Sequence, residues 1–350
     1  RVLRIHPPAR NDRFFFPIFD SLFLVAGLKL EGVFTSTIGS FPLDDSDANR
    51  GRCIEDLLTL GIDFPVYPQL LDMGRQFLRD LAEQDDRIAT EGGRYRLRGR
   101  EIRQDVAPPG LEPFFWTLRY LEEKGVKEKA GLKAAVTGPF TLASYIEIGA
   151  GAFPSNTAVS DLELVNQLAR VLFRSCETVS KDANMISIDE PVLGMLVGSK
   201  IALGYSEKDI VDIYNDLAKS CRGRFVGTHI CGRISPRLAK ILLKTDLSFL
   251  SHEFYDTRGN IDVYSPKEVR QSGKVLSVGC VSSRSLALES PEEILAVMLR
   301  FREYGDTLFF TPDCGFRNLV ANGSKEKGYK ISLKKLENMV RATEKFRAAE

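Results

Sequence analysis

A single-domain α/β protein, a (β/α)8 barrel, is the fold this sequence predicts, and three observations predict it. Short apolar or β-branched runs alternate with longer amphipathic stretches, the rhythm of βα units on a parallel sheet. Eight such runs fall within about 320 residues, the number and length of a (β/α)8 barrel. Polar side chains with chemical potential follow several of the runs, at the rim where such barrels build their sites. A doubly wound open sheet is the rival, weakened by the lack of a Gly-rich dinucleotide fingerprint after the first run.

Strands are expected at 32–38, 64–67, 133–137, 185–188, 225–228, 247–251, 274–278 and 307–311. Helices are expected between them. One covers 72–83 and another 112–124. The stretch 160–181 has Leu162, Val165, Leu168, Val171 and Leu172 at helical spacing. The stretch 206–221 opens on Ser206 with Asp209 three residues on, a capping-box-like start. Ser290 with Pro291 and Glu293 makes a second such start, and 332–349 closes the chain. Residues 87–104, rich in Gly and Arg, are expected as an insertion with a β-hairpin. Residues 148–155 are expected as a mobile loop on the face that carries the site. No internal repeat or linker divides the chain, so the barrel is expected over 33–350, behind an N-terminal extension of residues 1–32. That extension has Arg1, Arg4, Arg10 and Arg13 before an apolar stretch, as in a signal peptide. Pro17, Asp20 and Ser21 interrupt the stretch, and it is too short for a membrane span. A non-secretory extension or a cover for one end of the barrel is the expectation.

The composition is that of an ordinary soluble protein: 350 residues, 43% hydrophobic, 27% charged, net charge +1. Interspersed charge and the lack of a Lys/Arg tract argue against nucleic acid or a membrane surface as partner. Six cysteines in so long a chain suit reduced thiols in the cytoplasm better than a disulfide framework. Histidine is scarce, at three, so each one carries weight.

The fifth run delivers His229 and Cys231 to its end. Residues two apart on an extended segment share a side, so an imidazole and a thiol can grip one ion. Glu253 after the sixth run and Cys314 after the eighth complete an N/S/O set suited to zinc. Ser40, Gln69, Asp189 and Glu190 follow the first, second and fourth runs. Two thiolates and a carboxylate around Zn2+ leave a formal charge of −1, a poor Lewis acid for making hydroxide but a good holder of a further thiolate. This points to alkylation of a thiol. Each residue also has a plainer reading. His229 can be a satisfied core histidine, and Cys231 and Cys314 small core residues. Glu253 can be an ion-pair partner with His252 the ligand instead, and Asp189-Glu190 a helix start. Cys280 is a spare thiol after the seventh run, while Cys53, Cys176 and Cys221 lie on helical stretches as structural residues.

These residues resemble the cobalamin-independent methionine synthase family, in its short single-barrel form. The motifs are Ser36-Thr-Ile-Gly-Ser-Phe-Pro42, Val136-Thr-Gly-Pro-Phe-Thr141, Ile188-Asp-Glu-Pro191, His229-Ile-Cys231, Glu253 and Pro312-Asp-Cys-Gly315. The resemblance implies a catalytic zinc on His229, Cys231, Glu253 and Cys314, with homocysteine as the methyl acceptor. It implies that Ile38, Gly39 and Ser40 hold the acceptor's carboxylate and Asp189 its amino group. Near Gln69 the family has a carboxylate that helps hold that group. The family's seventh strand ends in Asp-x-His, the His serving proton transfer, and here Cys280-Val-Ser282 stands instead. A folate donor needs its leaving nitrogen protonated, whereas a corrinoid does not, so a methylcobalamin or methyl-corrinoid protein donor is expected, with methyltetrahydrofolate as the alternative. Other readings are a methyltransferase for another thiol such as coenzyme M, a protein like the uroporphyrinogen decarboxylases of the same superfamily, and a non-catalytic zinc protein.

Overall fold

The computed structural model describes residues 3–4, 30–127 and 131–349. The expected N-terminal extension therefore lies mostly outside the described residues. Of it, Leu3–Arg4 pairs parallel with Leu30 and Glu31. The barrel strands are β1 (Leu30–Thr35), β2 (residues 64–67), β3 (Lys133–Thr137), β4 (Met185–Asp189), β5 (Phe225–Ile230), β6 (Phe249–Glu253), β7 (Val275–Val281) and β8 (Thr307–Pro312). All neighbours are parallel, from β3 through β8, and β8 returns to β1 with Phe309 opposite Phe34. The ring closes through β2, which makes isolated bridges rather than a ladder: Ser36 to Phe64 on one side, Val66 to Lys133 on the other. Phe64 N donates to Thr35 O and Lys133 N to Pro65 O. Pro65 and Pro68 lack an N–H, which is why this strand cannot hold a continuous ladder.

Helices alternate with the strands. They are α1 (Asp47–Thr59), α2 (Met73–Gln84), α3 (Glu112–Glu123), α4 (Pro139–Ser144), α5 (Leu162–Val179), α6 (Leu193–Leu196), α7 (Glu207–Ser220), α8 (Pro236–Leu243), α9 (Pro266–Ser272), α10 (Pro291–Met298) and α11 (Lys325–Ala348). Ser206 with Asp209, Ser265 with Glu268 and Ser290 with Glu293 form capping boxes. The last helix begins at Lys325, not at 332. Ser324 caps it, and Gly328 lies so close to Leu319 O that a Cβ there would come within 1.6 Å. A glycine in the first turn hid the true start from a propensity argument.

Between α2 and α3, Ile88–Glu91 and Arg94–Leu97 form an antiparallel hairpin turned by Gly92 and Gly93, both at positive φ. Its second strand pairs with Ile146–Glu147, and Arg94 and Arg96 both reach Glu147.

Phe34, Phe64, Met185, Phe249 and Phe309 form a separate cluster, with Phe225 packed against it. They project from six different strands, so they fill the barrel interior below the rim. Gly227 makes this possible: a Cβ there would meet the Phe249 ring at 2.3 Å. The larger core joins the outer faces of the strands to the helices. Among the described residues no helix is long and apolar enough to cross a membrane.

Candidate metal centre

β5 runs on past residue 228, so His229 is inside the strand and Cys231 just beyond it. Both side chains point inward, as their spacing of two requires. Among the described residues, one group of three metal-ligating side chains stands together: His229, Cys231 and Cys314, whose ligand atoms lie within 4.8 Å of one another. His229 Nε2 is 3.0 Å from Cys231 Sγ, and Cys231 Sγ is 2.8 Å from Cys314 Sγ. His229 Nδ1 meets Ser251 Oγ at 3.1 Å, which turns Nε2 toward the thiols. One imidazole nitrogen and two thiols gathered at one point are a donor set that suits zinc.

The electrostatics fit anionic sulfur. Cys231 donating to Cys314 is the main reason the Cys314 thiol lies well below its ordinary value, and His229 adds to it. The Cys231 thiol is pushed up by its bond to Cys314 and by burial. Burial works against charge on His229, but Cys314 and Asp189 outweigh it and raise the imidazole.

Glu253 ends β6 and is fully buried, but its carboxylate is outside the group of three. Arg284 Nη2 donates to Oε1 at 2.8 Å and to Oε2 at 2.9 Å, and Thr257 Oγ1 donates to Oε2 at 2.8 Å. His252, the other candidate at this point, faces away from the interior. Its ring bridges Ile230 O and Tyr264 OH. Cys280 lies within β7, not after it, and donates to Thr311 O. Cys53, Cys176 and Cys221 are buried away from this group.

The remaining rim residues cluster on two sides. Asp189 ends β4, accepts from Ser187 Oγ, and is raised by burial against the pull of His229 and Lys133. Glu190 turns away and accepts from Phe140 N, Thr141 N and Thr141 Oγ1, anchoring the start of α4; burial pushes it up to about 8. On the other side, Gly39 has φ 123° and lies against Gln69, and Gln69 N donates to Gly39 O. A Cβ at Gly39 would reach Gln69 Oε1 at 2.7 Å. Gln69 Nε2 is bonded to Tyr67 OH. Ile38 is buried. Ser40 packs on Gly315, where a Cβ would meet Ser40 Oγ at 1.9 Å, and Phe316 N donates to Ser40 O. The first-strand segment 38–40 is thus seated directly beside Cys314.

Sequence reasoning missed three residues. Asp313 accepts from Phe254 N, Tyr255 N and Asp256 N, fixing the loop after β6 to the strand end that carries Cys314. Burial pushes it up to about 7. Its place in Pro312-Asp-Cys-Gly315 was the available signal. Arg284 and Lys133 gave none, because their roles depend on loop shape and ring closure.

A profile of the family described as "Cobalamin-independent synthase, Catalytic domain" matches residues 111–345. A methionine synthase from Methanocaldococcus jannaschii is 26% identical over 231 residues, covering 63% of this chain and 67% of that protein. A methionine synthase from Methanothermobacter marburgensis is 27% identical over 247 residues, covering 69% and 73%. Among solved structures, a B12-independent methionine synthase from a Shewanella species, in complex with selenomethionine, superposes with a TM-score of 0.65 at 16% identity. That match covers 90% of this chain and 98% of the other.

Proposed function

This chain belongs to the cobalamin-independent synthase family and is a methyltransferase, and from that premise we propose that it methylates the thiol of homocysteine to give methionine, at a zinc ion held by His229, Cys231 and Cys314, with Glu253 at the end of β6 as the fourth ligand. The observation that carries the proposal is the imidazole and two thiols gathered within 4.8 Å at the barrel rim. Zinc in such a set keeps an incoming thiol deprotonated and nucleophilic near neutral pH. Ser251 orients the His229 ring toward the site. Asp189, which ends the neighbouring strand, is in our reading the partner of the acceptor's ammonium. The Gly39–Ser40 segment, packed on Gly315, is the seat of its carboxylate. Both placements favour an amino-acid thiol over an acceptor without an amino group, such as coenzyme M. In the transfer the acceptor sulfur loses its proton and bonds the methyl carbon. The methyl–donor bond breaks, and its electron pair stays on the donor.

For the donor, Ser282 is the specific observation. Its hydroxyl donates to Asp256 and accepts from Arg284 N and Ser285 N. Its proton is committed to Asp256, and a serine hydroxyl is a far weaker acid than the histidine the family has here, whereas a leaving folate nitrogen needs a proton. This favours methylcobalamin, free or on a corrinoid protein. The family's description points the other way, and methyltetrahydrofolate is the second reading. All six cysteines are free, and we place the protein in a reducing compartment, the cytoplasm.

The test is methionine formation by zinc-loaded protein from homocysteine, with each donor offered separately, with and without a chelator. Turnover lost on chelation supports the metal reading, and the active donor decides between the two. Cys314→Ser is expected to lose both zinc and turnover while its circular dichroism and melting stay those of a folded barrel. Full turnover in that variant, or in chelated protein, would remove the metal from the mechanism.

A further inference from the structure

The loops after β5 and β6 carry two arginines that no carboxylate answers. We infer that Arg233 and Arg258 form an anion-recognition site at the mouth, which takes a phosphate or carboxylate group of the methyl donor. The inference deepens the methyl-transfer reading above and rests on it.

Arg233 stands two residues beyond Cys231, and Arg258 follows the end of β6 in a short turn. Both are exposed. The Arg233 guanidinium lies over Gly259, the residue after Arg258. A Cβ at Gly259 would come within 2.6 Å of Arg233 Nη1, so a larger residue there would push the guanidinium off the turn. Among the described residues neither arginine has a carboxylate at ion-pair distance. Arg237, on the helix that follows Arg233, does have one, Glu207. The acid nearest to Arg258 in sequence, Asp256, accepts from Ser282 Oγ.

Two like charges on adjoining loops repel each other, so their placement needs a frame. Asn260 supplies it from a fully buried position. Its Oδ1 accepts from Ile234 N at 2.9 Å, and its Nδ2 donates to Gly232 O and Glu253 O at 2.8 Å each. These bonds grip the backbone on both sides of Arg233 and tie it to the end of β6. From the other side α6 closes on the same stretch. A Cβ at Gly194 would stand 3.4 Å from Cys231 O and 3.7 Å from Arg233 O.

Met195, next to Gly194, is 70% exposed. The rim at this point therefore offers an apolar side chain near two guanidinium groups that lack counter-ions. Guanidinium forks match phosphate and carboxylate geometry, and the apolar neighbour suits a ligand with a flat body and an anionic arm. Both donor readings have that shape. Methylcobalamin carries a phosphate in its nucleotide arm, and methyltetrahydrofolate carries carboxylates on its glutamyl tail. The proposed seat of the acceptor's carboxylate, at 38–40, follows β1, on the opposite side of the ring from β5.

The test is donor binding to zinc-loaded protein by equilibrium dialysis, with four probes. They are methylcobalamin, methylcobinamide (which lacks the phosphate-bearing arm), methyltetrahydrofolate, and its diamide, whose glutamyl tail is neutral. The double variant Arg233→Gln, Arg258→Gln is expected to raise the Kd of an intact donor roughly tenfold, and each single change by about threefold. The Kd of the neutral counterpart should stay that of wild type. Added salt should remove most of the difference, and lysine at both positions should retain most of the affinity. The intact donor that responds identifies the anion as phosphate or carboxylate. Equal losses for an intact donor and its neutral counterpart, or no change for either intact donor, would overturn the inference. So would a wild type that binds neither. Methionine formation is scored apart. Charge-dependent donor binding without turnover would sink the homocysteine reading and leave the anion site standing, whereas turnover with a Kd indifferent to both arginines would do the reverse.

Discussion

Asp189 sits at the end of β4 with a hydroxyl on its carboxylate and with His229 and Lys133 in its surroundings. It is 6% exposed, enough to meet a ligand from the mouth. If it receives the ammonium of the acceptor, Asp189→Ala removes one charged hydrogen bond, about 1.5–3 kcal/mol. The expected result is a KM for homocysteine raised roughly 10- to 100-fold with zinc content unchanged. An unchanged KM, or zinc lost in parallel, would deny Asp189 that part. At this scale the thiols and His229 were legible because a spacing of two on a strand fixes a shared side. Glu253 was legible as a rim residue but not as the partner of Arg284. That pairing is made by a turn whose shape depends on three hydrogen bonds to Ser282 and Asp256.

Strands could be found from their apolar runs, since a fully buried parallel strand needs little else. Their ends were less accessible. β5 and β7 continue to Ile230 and Val281, and β6 sits two residues later than expected, at Phe249–Glu253. The short helices α4, α6, α8 and α9 have too few turns for a period to register. The loop after β6 is held from outside by Asp313, through three backbone N–H donors from Phe254, Tyr255 and Asp256. Gly279 leaves room for it, as a Cβ there would approach Asp313 Oδ1 to 2.5 Å. Asp313→Ala orphans these donors in a buried setting, at a cost of about 3 kcal/mol or more. Urea unfolding of metal-free protein measures it. A loss under about 1 kcal/mol would mean that water or a shifted loop replaces the carboxylate.

Across the whole molecule, the barrel interior is layered: an aromatic floor of Phe34, Phe64, Phe225, Phe249 and Phe309, and the site at the rim. Lys133 crosses between them. It opens the third expected strand, and ring closure through β2 encloses it completely. Its Nζ donates to Thr37 O at 3.1 Å and lies 5.9 Å from the centre of the Phe249 ring. Burial lowers the ammonium to about 8, against the pull of Asp189. An unfolded lysine titrates near 10.4. Below pH 8 both states carry the proton, and the lysine contributes no pH dependence. Between pH 8 and about 10.4 the unfolded chain binds more protons than the folded one, so stability rises with pH by on the order of 3 kcal/mol from this group. Other groups titrate in the same range, so the quantity to measure is the difference between wild type and Lys133→Met. Urea unfolding at pH 7.5, 9 and 10 should show the variant more stable at the lowest pH and the advantage shrinking as pH rises. Replacing a buried ion with an apolar side chain of similar length removes a desolvation cost that persists only while the ion is charged. A difference constant across the three pH values would mean that the folded barrel holds the ammonium as firmly as water does. The charge would then belong to the site above it rather than to the floor beneath.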